Sequence, residues 1–129
     1  MVRKVAVLNT DVDTLDGLAL ALSDAGFLPC VLNTRGTSPD QVQTFLGTSD
    51  PDVVVYDIAP PYLDALRHWN DLRRTTSMRG KPFVLTTTGR GFELGCFGDV
   101  ETEIIEKPFS FGRLVRAVHR AIRRCKKLE

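Results

Sequence analysis

Short apolar runs alternate with segments of helical periodicity along most of this chain. The runs are four to six residues long. They are rich in valine, isoleucine and leucine, as expected of strands that are buried on both faces. Between them, apolar residues recur three and four positions apart, as on one face of a helix. The alternation predicts an α/β fold, a doubly wound five-stranded parallel sheet with helices on both faces. The predicted strands are Val5–Leu8, 27–32, Val53–Tyr56, Phe83–Thr87 and 103–106.

Polar and glycine residues mark the ends of the predicted helices. Asp13 is the predicted N-cap of the first helix, and Gly26 its left-handed C-terminal cap. Residues Ser38 to Gln41 read Ser-Pro-Asp-Gln, the pattern of a cap, a first-position proline and a capping-box glutamine. The third helix is predicted from residue 62 to about residue 75, and Ser110 is predicted to cap the last one.

The segment between the fourth and fifth strands breaks the pattern. It contains Gly89, Gly91, Gly95 and Gly98, and each glycine costs about 1 kcal/mol in a helix interior. The fourth helix is therefore predicted to be irregular, shortened or absent.

Length and composition indicate a single globular unit. The 129 residues suffice for one domain, predicted to span 1–129 with a core from about 3 to 126. A net charge of +1 gives no general attraction to nucleic acid or to a membrane. The longest apolar runs are too short to cross a bilayer, and three widely spaced cysteines do not suggest a disulfide framework. We expect a cytoplasmic protein.

Residues with useful chemistry follow the predicted strands. Asn9, Thr10 and Asp11 follow the first strand, Asp57 the third, Thr87 and Thr88 end the fourth, and Lys107 follows the fifth. Sites in open parallel sheets form beyond the carboxyl ends of the strands. A carboxylate there can attack phosphorus, while a hydroxyl and an ammonium contact the phosphoryl oxygens.

In the order and spacing of these residues the chain resembles the receiver domain of bacterial response regulators. The resemblance implies a flavodoxin-like (βα)5 fold. Residues 51–61 resemble the phosphoacceptor strand and its loop, with Asp57 as acceptor. Residues 82–88 are similar to the strand with the switch threonine, which falls on Thr87. Residues 106–109, Glu-Lys-Pro-Phe, resemble the lysine–proline turn, with a cis bond before Pro108 that aims Lys107 inward.

Two positions depart from the pattern of that family. Its first strand usually ends in two acidic residues that hold Mg²⁺ together with the acceptor, and Asn9 and Thr10 occupy these positions. With Asp57 and Lys107 alone the pocket has about zero net charge, so Mg²⁺ binding is predicted to be weak or absent, with Asp57 and, in an alternative register, Asp11 as ligands. Ile104 replaces the aromatic switch residue, so the usual coupling of threonine and aromatic residue is not expected.

The resemblance implies a signalling module in a two-component phosphorelay, whose partner is a histidine kinase or a phosphotransfer protein. The alternative is a pseudo-receiver that binds protein partners without phosphorylation. An aspartate-dependent phosphatase is disfavoured because Ala59 stands where such an enzyme has its second aspartate, and no glycine fingerprint for a dinucleotide follows the first strand. No enzymatic activity is predicted.

Basic residues line one face of the last helix. This basic stripe is either a solvated surface or a docking site for an acidic protein, and nucleic acid ranks third because no aromatic residues interleave with the cations. The predicted output surface consists of the fourth segment, the fifth strand and this helix. The stripe comprises Arg113, Arg116, Arg120, Arg124 and Lys127.

Overall fold

A computed structural model describes residues 2–88 and 102–127. Strands and helices alternate through the first seven elements, and a fifth strand and a long helix follow. The elements are β1 (Lys4–Asn9), α1 (Val12–Asp24), β2 (Leu28–Asn33), α2 (Pro39–Ser49), β3 (Val53–Ile58), α3 (Tyr62–Arg73), β4 (Phe83–Thr87), β5 (Glu103–Glu106) and α4 (Phe111–Lys127).

The five strands form one parallel sheet in the order β2-β1-β3-β4-β5. Val7 of β1 pairs with Val31 of β2 on one side and with Val55 of β3 on the other. β3 is the middle strand, with β1 and β4 beside it and β2 and β5 at the edges. This arrangement confirms the predicted doubly wound, flavodoxin-like sheet. The predicted irregular fourth helix falls within 89–101, outside the described residues.

Helices cover the sheet on both faces and enclose two apolar clusters. Val5, Val7 and Val55 point to the first cluster, which α1 and α4 cover with Leu18, Leu114 and other side chains. Ala6, Leu8, Val54 and Leu85 point to the second cluster, which α2 and α3 cover with Leu46 and Trp69. The clusters alternate residue by residue along each strand because successive strand side chains point to opposite faces.

Most predicted helix ends agree with the structure, and one does not. The capping box of Ser38 and Gln41 is present, and Gly26 has φ +92°, as its position after α1 requires. The prediction of Asp13 as the N-cap of α1 was wrong, since the N-cap is Asp11. The side chain of Asn9 accepts the backbone N–H of Asp11 at 2.9 Å, so the chain turns into α1 directly after β1. Asp13 instead lies in the first turn of α1, where its carboxylate interacts favourably with the helix dipole.

Among the described residues, no helix combines the length and the apolar character that crossing a membrane requires.

Candidate functional site

The carboxylate of Asp57 is the centre of the candidate site. Asp57 lies near the carboxyl end of β3, and its side chain is 5% exposed. Oδ1 lies 2.6 Å from Nζ of Lys107 and accepts the hydroxyl of Thr86 at 2.7 Å. Both of these contacts use the same carboxylate oxygen. An ammonium and a hydroxyl thus hold one oxygen of a nearly buried carboxylate in a fixed orientation.

The backbone that follows β5 positions Lys107. The N–H of Lys107 donates to the carbonyl oxygen of Thr87 at 2.8 Å, which extends the β4–β5 pairing by one residue. The peptide bond between Lys107 and Pro108 is cis, as predicted. The structure therefore brings Asp57 and Lys107 together at the carboxyl end of the sheet, as the sequence suggested.

The hydroxyl that contacts Asp57 belongs to Thr86. In the register of β3 and β4, Asp57 pairs with Thr86 and Ile58 pairs with Thr87. Paired residues of parallel strands point to the same face, so Thr86 and Asp57 share a face. Sequence reasoning placed this hydroxyl on Thr87, whose own side chain is buried and whose role at the site stays a prediction. Only the register, which no local signal in the sequence fixes, selects Thr86.

The residues at the end of β1 do not fit a magnesium site. The buried side chain of Asn9 uses Oδ1 to accept the N–H of Asp11. The carboxylate of Asp11 accepts the hydroxyl of Thr14 at 2.5 Å and is exposed. Within 2–88 and 102–127, no three residues among His, Cys, Asp and Glu lie together as metal ligands would. Mg²⁺ is held mainly by carboxylates and water, and the described site offers one nearly buried carboxylate that already contacts an ammonium.

Asp11 is nonetheless part of the electrostatic surroundings of the site. Its hydrogen bond from Thr14 is the main cause of a pKa below the ordinary value of 3.8, and the positive charge of Lys107 contributes in the same direction. Asp11 therefore remains ionised at neutral pH and lies within electrostatic range of Lys107.

Two tyrosines border the site, and sequence reasoning gave neither a role there. The hydroxyls of Tyr62 and Thr88 form a hydrogen bond of 2.7 Å, which ties the start of α3 to the residue after β4. Burial raises the pKa of the Tyr56 phenol above 10.0, and the charge of neighbouring Asp57 raises it further. Ile104, at the predicted aromatic position, is partly buried and packs against the second cluster.

An acid of the sheet neutralises part of the basic stripe. Glu103 of β5 is nearly buried and receives hydrogen bonds from Arg120, at 2.8 Å, and from Arg124. The sequence has no acidic residue between positions 110 and 128, so the acid that pairs with these arginines comes from the sheet. Arg113, Arg116 and Arg123 remain exposed.

Comparison with solved structures identifies this arrangement of strands and helices. No family model matches the chain, and no curated protein is significantly similar to it. NtrX from Brucella abortus in complex with ADP is 23% identical, with a TM-score of 0.78 over 98% of this chain and 27% of that one. The chemotaxis protein CheY4 of Vibrio cholerae is 18% identical, with a TM-score of 0.77 over 94% of this chain and 99% of that one. A response regulator receiver protein from Sinorhizobium medicae is 23% identical, with a TM-score of 0.75 over 96% and 97% of the two chains.

The chain has the receiver fold. It spans about a quarter of NtrX and nearly all of the two smaller proteins. In this receiver fold, Asp57, Lys107 and Thr86 meet where β3, β4 and β5 end. At sequence identities this low, the structural similarity establishes the fold alone. Any chemistry has to be argued from the residues at the site.

Proposed function

We propose that the chain is a receiver domain of a two-component phosphorelay in which Asp57 accepts a phosphoryl group. A histidine kinase or a phosphotransfer protein, in the cytoplasm, is the donor. The observation that supports this proposal is the contact of one Asp57 oxygen with both the ammonium of Lys107 and the hydroxyl of Thr86.

The geometry suits nucleophilic attack by the other oxygen. Lys107 and Thr86 hold Oδ1, which leaves Oδ2 to attack the phosphorus atom of a phosphohistidine. A P–O bond forms, the P–N bond breaks, and its electron pair goes to the histidine nitrogen, which then binds a proton. The product is an acyl phosphate on Asp57, and fixed donors that already point at this place need little reorganisation.

Charge at the site favours the product and limits the rate. Phosphorylation adds more than one negative charge next to the ammonium of Lys107, which can move from Oδ1 to a phosphoryl oxygen. The positions filled by Asn9 and Thr10 supply no further carboxylate, so we expect slower transfer than in a receiver domain that has both acids.

Output through protein contacts is the second part of the proposal. The proposed surface combines β5 and α4 with the sequence segment 89–101, and the exposed arginines of α4 favour an acidic partner. Arg113, Arg116 and Arg123 are available for such a partner, whereas Arg120 and Arg124 are bound to Glu103.

Reaction with a small phosphodonor tests the acceptor role directly. The purified protein is incubated with phosphoramidate and Mg²⁺ and examined by intact mass spectrometry. We expect one phosphoryl adduct, which the variant Asp57→Asn loses. Asp24→Asn is the matched control, since this exposed carboxylate ends α1, and it should keep the adduct.

Two outcomes contradict the proposal. One is no adduct under conditions that label a receiver domain with both acids, which supports the pseudo-receiver instead. The other is an adduct of undiminished yield in Asp57→Asn, which places the acceptor elsewhere.

A further inference from the structure

A groove between α2 and α3 opens beside the phosphoacceptor site. Its volume is about 310 Å³. Val42 of α2 and Ala65 of α3 face it from either side, and Tyr56 of β3 borders it between them. Asp57 lies at its border with the site, while His68 and Asp71 of α3 also line it. The groove is distinct from the contact between Asp57 and Lys107 that supports phosphorylation.

Small side chains account for the space. Further along the same two helices, Leu46 and Trp69 fill the second cluster together with Met78, which follows α3, and all three are fully buried. Near the site, Ala59 and Ala65 stand where larger residues would close the gap. Ligand pockets have volumes of roughly 300–1,000 Å³ and mostly apolar walls with a few polar groups. The volume of the groove matches the lower end of that range and suits a molecule of one or two rings, and hydroxyl and amide side chains such as Thr37 and Gln43 line it beside the apolar ones.

The charges around the groove select the kind of ligand. Asp57 and Asp71 are the acidic residues that border the groove, and no lysine or arginine is found among the lining residues in the described part of the chain. Lys107 compensates Asp57, whereas Asp71 forms no ion pair within residues 2–88 and 102–127. An organic anion would meet uncompensated negative charge, and a protonated amine would be attracted.

Aromatic side chains favour a planar ligand. Tyr56 is partly buried and remains a neutral phenol, because burial and the charge of Asp57 both raise its pKa. Tyr56 and His68 both line the groove, so it is bordered by two residues with aromatic rings. Aromatic faces attract both flat rings and cations.

We propose that this groove is a binding site for a small planar organic amine, with its ring between α2 and α3 and its ammonium near Asp71. This site is separate from the acceptor role of Asp57 and does not depend on phosphorylation. The uncompensated carboxylate of Asp71, with no lysine or arginine among the described residues that line the groove, distinguishes this ligand class from nucleotides and other phosphates.

The test uses tryptamine as the probe and nuclear magnetic resonance of the isotope-labelled protein as the readout. We expect saturable shifts of backbone signals from α2, α3 and the end of β3. Indole-3-propionate has the same ring and the opposite charge, and it should bind much more weakly. Asp71→Asn should weaken tryptamine binding roughly fivefold, as expected for loss of a partly solvated ion pair. Asp64→Asn, an exposed acid of the same helix outside the groove, should not.

Filling the groove supplies the matched steric test. Ala65→Trp should abolish tryptamine binding, whereas Leu63→Trp, at a side chain 69% exposed on the same helix, should leave it intact. Intermolecular nuclear Overhauser contacts between the tryptamine ring and the methyl groups of Val42 and Ala65 are expected in the wild type, so the test does not depend on the folding of a variant.

Three results would overturn the proposal. They are the absence of saturable shifts with tryptamine, equal binding of the anion, and contacts of the ring with methyl groups outside the groove.

Discussion

Nζ of Lys107 lies 2.6 Å from Oδ1 of Asp57, whose side chain is 5% exposed. Lys107 directly follows β5 and Asp57 belongs to β3, and β4 lies between these two strands. The ion pair therefore connects the end of β3 with the residue after β5, across the end of β4. A nearly buried carboxylate without its cation is costly, since neither water nor a counter-ion replaces the lost contact.

Replacement of Lys107 should show how much the stability of the folded protein depends on its ion pair with Asp57. We expect Lys107→Met to lower the free energy of unfolding by about 3 kcal/mol, because Asp57 is left charged and nearly buried. The double variant Lys107→Met with Asp57→Asn should recover most of the loss. Urea denaturation measures both values.

Lys81→Met is the matched control for that prediction. Lys81 forms an ion pair of 3.2 Å with Asp50, whose side chain is 77% exposed. Loss of such a surface pair costs about 1 kcal/mol or less. Equal losses for Lys81→Met and Lys107→Met would show that the Asp57 carboxylate does not need its partner.

Mg²⁺ affinity should depend on the two positions at the end of β1. We expect the wild type to bind Mg²⁺ more weakly than a receiver domain with both acids, and the double variant Asn9→Asp with Thr10→Asp to bind it more tightly, because two carboxylates join Asp57. An aspartate at position 9 retains an oxygen that accepts the N–H of Asp11, so the turn into α1 is preserved. Isothermal titration calorimetry measures the affinity, and ordinary affinity in the wild type would contradict the charge argument.

The titration of Tyr56 should report the charge of Asp57. Burial is the larger cause of its raised pKa and the Asp57 carboxylate the smaller. In Asp57→Asn the pKa of Tyr56 should therefore fall, yet stay above 10.0. Absorbance titration of tyrosinate in a Tyr62→Phe background isolates Tyr56, because the chain has two tyrosines. Asp24→Asn should leave the midpoint unchanged.

The same pKa shift predicts a pH dependence of stability. The folded-state pKa of Tyr56 is raised above its unfolded value, so folding favours the neutral phenol. This contribution is fully present below pH 10.0 and is lost as the pH rises through the folded-state pKa. If the midpoint of the Tyr56 absorbance titration is the same in Asp57→Asn and in the wild type, then the charge of Asp57 does not act on Tyr56.

The contact of Phe111 with Gly17 should remove the stabilisation that alanine normally gives over glycine in a helix such as α1. A Cβ added at Gly17 would lie 2.5 Å from Cε2 of Phe111, whereas a Cβ at Gly47 of α2 would meet no atom within 4 Å. Alanine gains about 1 kcal/mol over glycine in a helix. We therefore expect Gly47→Ala to stabilise the protein by about that amount and Gly17→Ala to lose the gain by displacing the ring.

A double variant isolates the cause of that difference. In a Phe111→Ala background the obstacle is gone, so Gly17→Ala should then contribute about 1 kcal/mol, like Gly47→Ala. Thermal or urea unfolding gives the values. Equal stabilisation by Gly17→Ala and Gly47→Ala in the wild-type background would show that the ring contact is unimportant.

The sequence by itself determined the order of strands and helices, the capping box of α2, and the convergence of Asp57 with Lys107. These features follow from the period of apolar residues, from contacts a few positions apart, and from the rule that parallel strands end at one edge. The first two depend on local chemistry, which a single sequence displays directly, and the third depends on the parallel direction of the strands, which the alternation of strands and helices implies.

Tertiary structure alone decided which hydroxyl contacts Asp57, where Arg120 and Arg124 find their acid, and that Asn9 makes Asp11 the N-cap of α1. The first depends on the register of β3 against β4, and the second on α4 packing above β5. The third depends on one turn between β1 and α1. Many neighbouring side chains set the strand register and the helix packing together, so no short stretch of residues specifies the first two placements. The groove between α2 and α3 exists for the same reason, because its empty space results from two helices on one sheet.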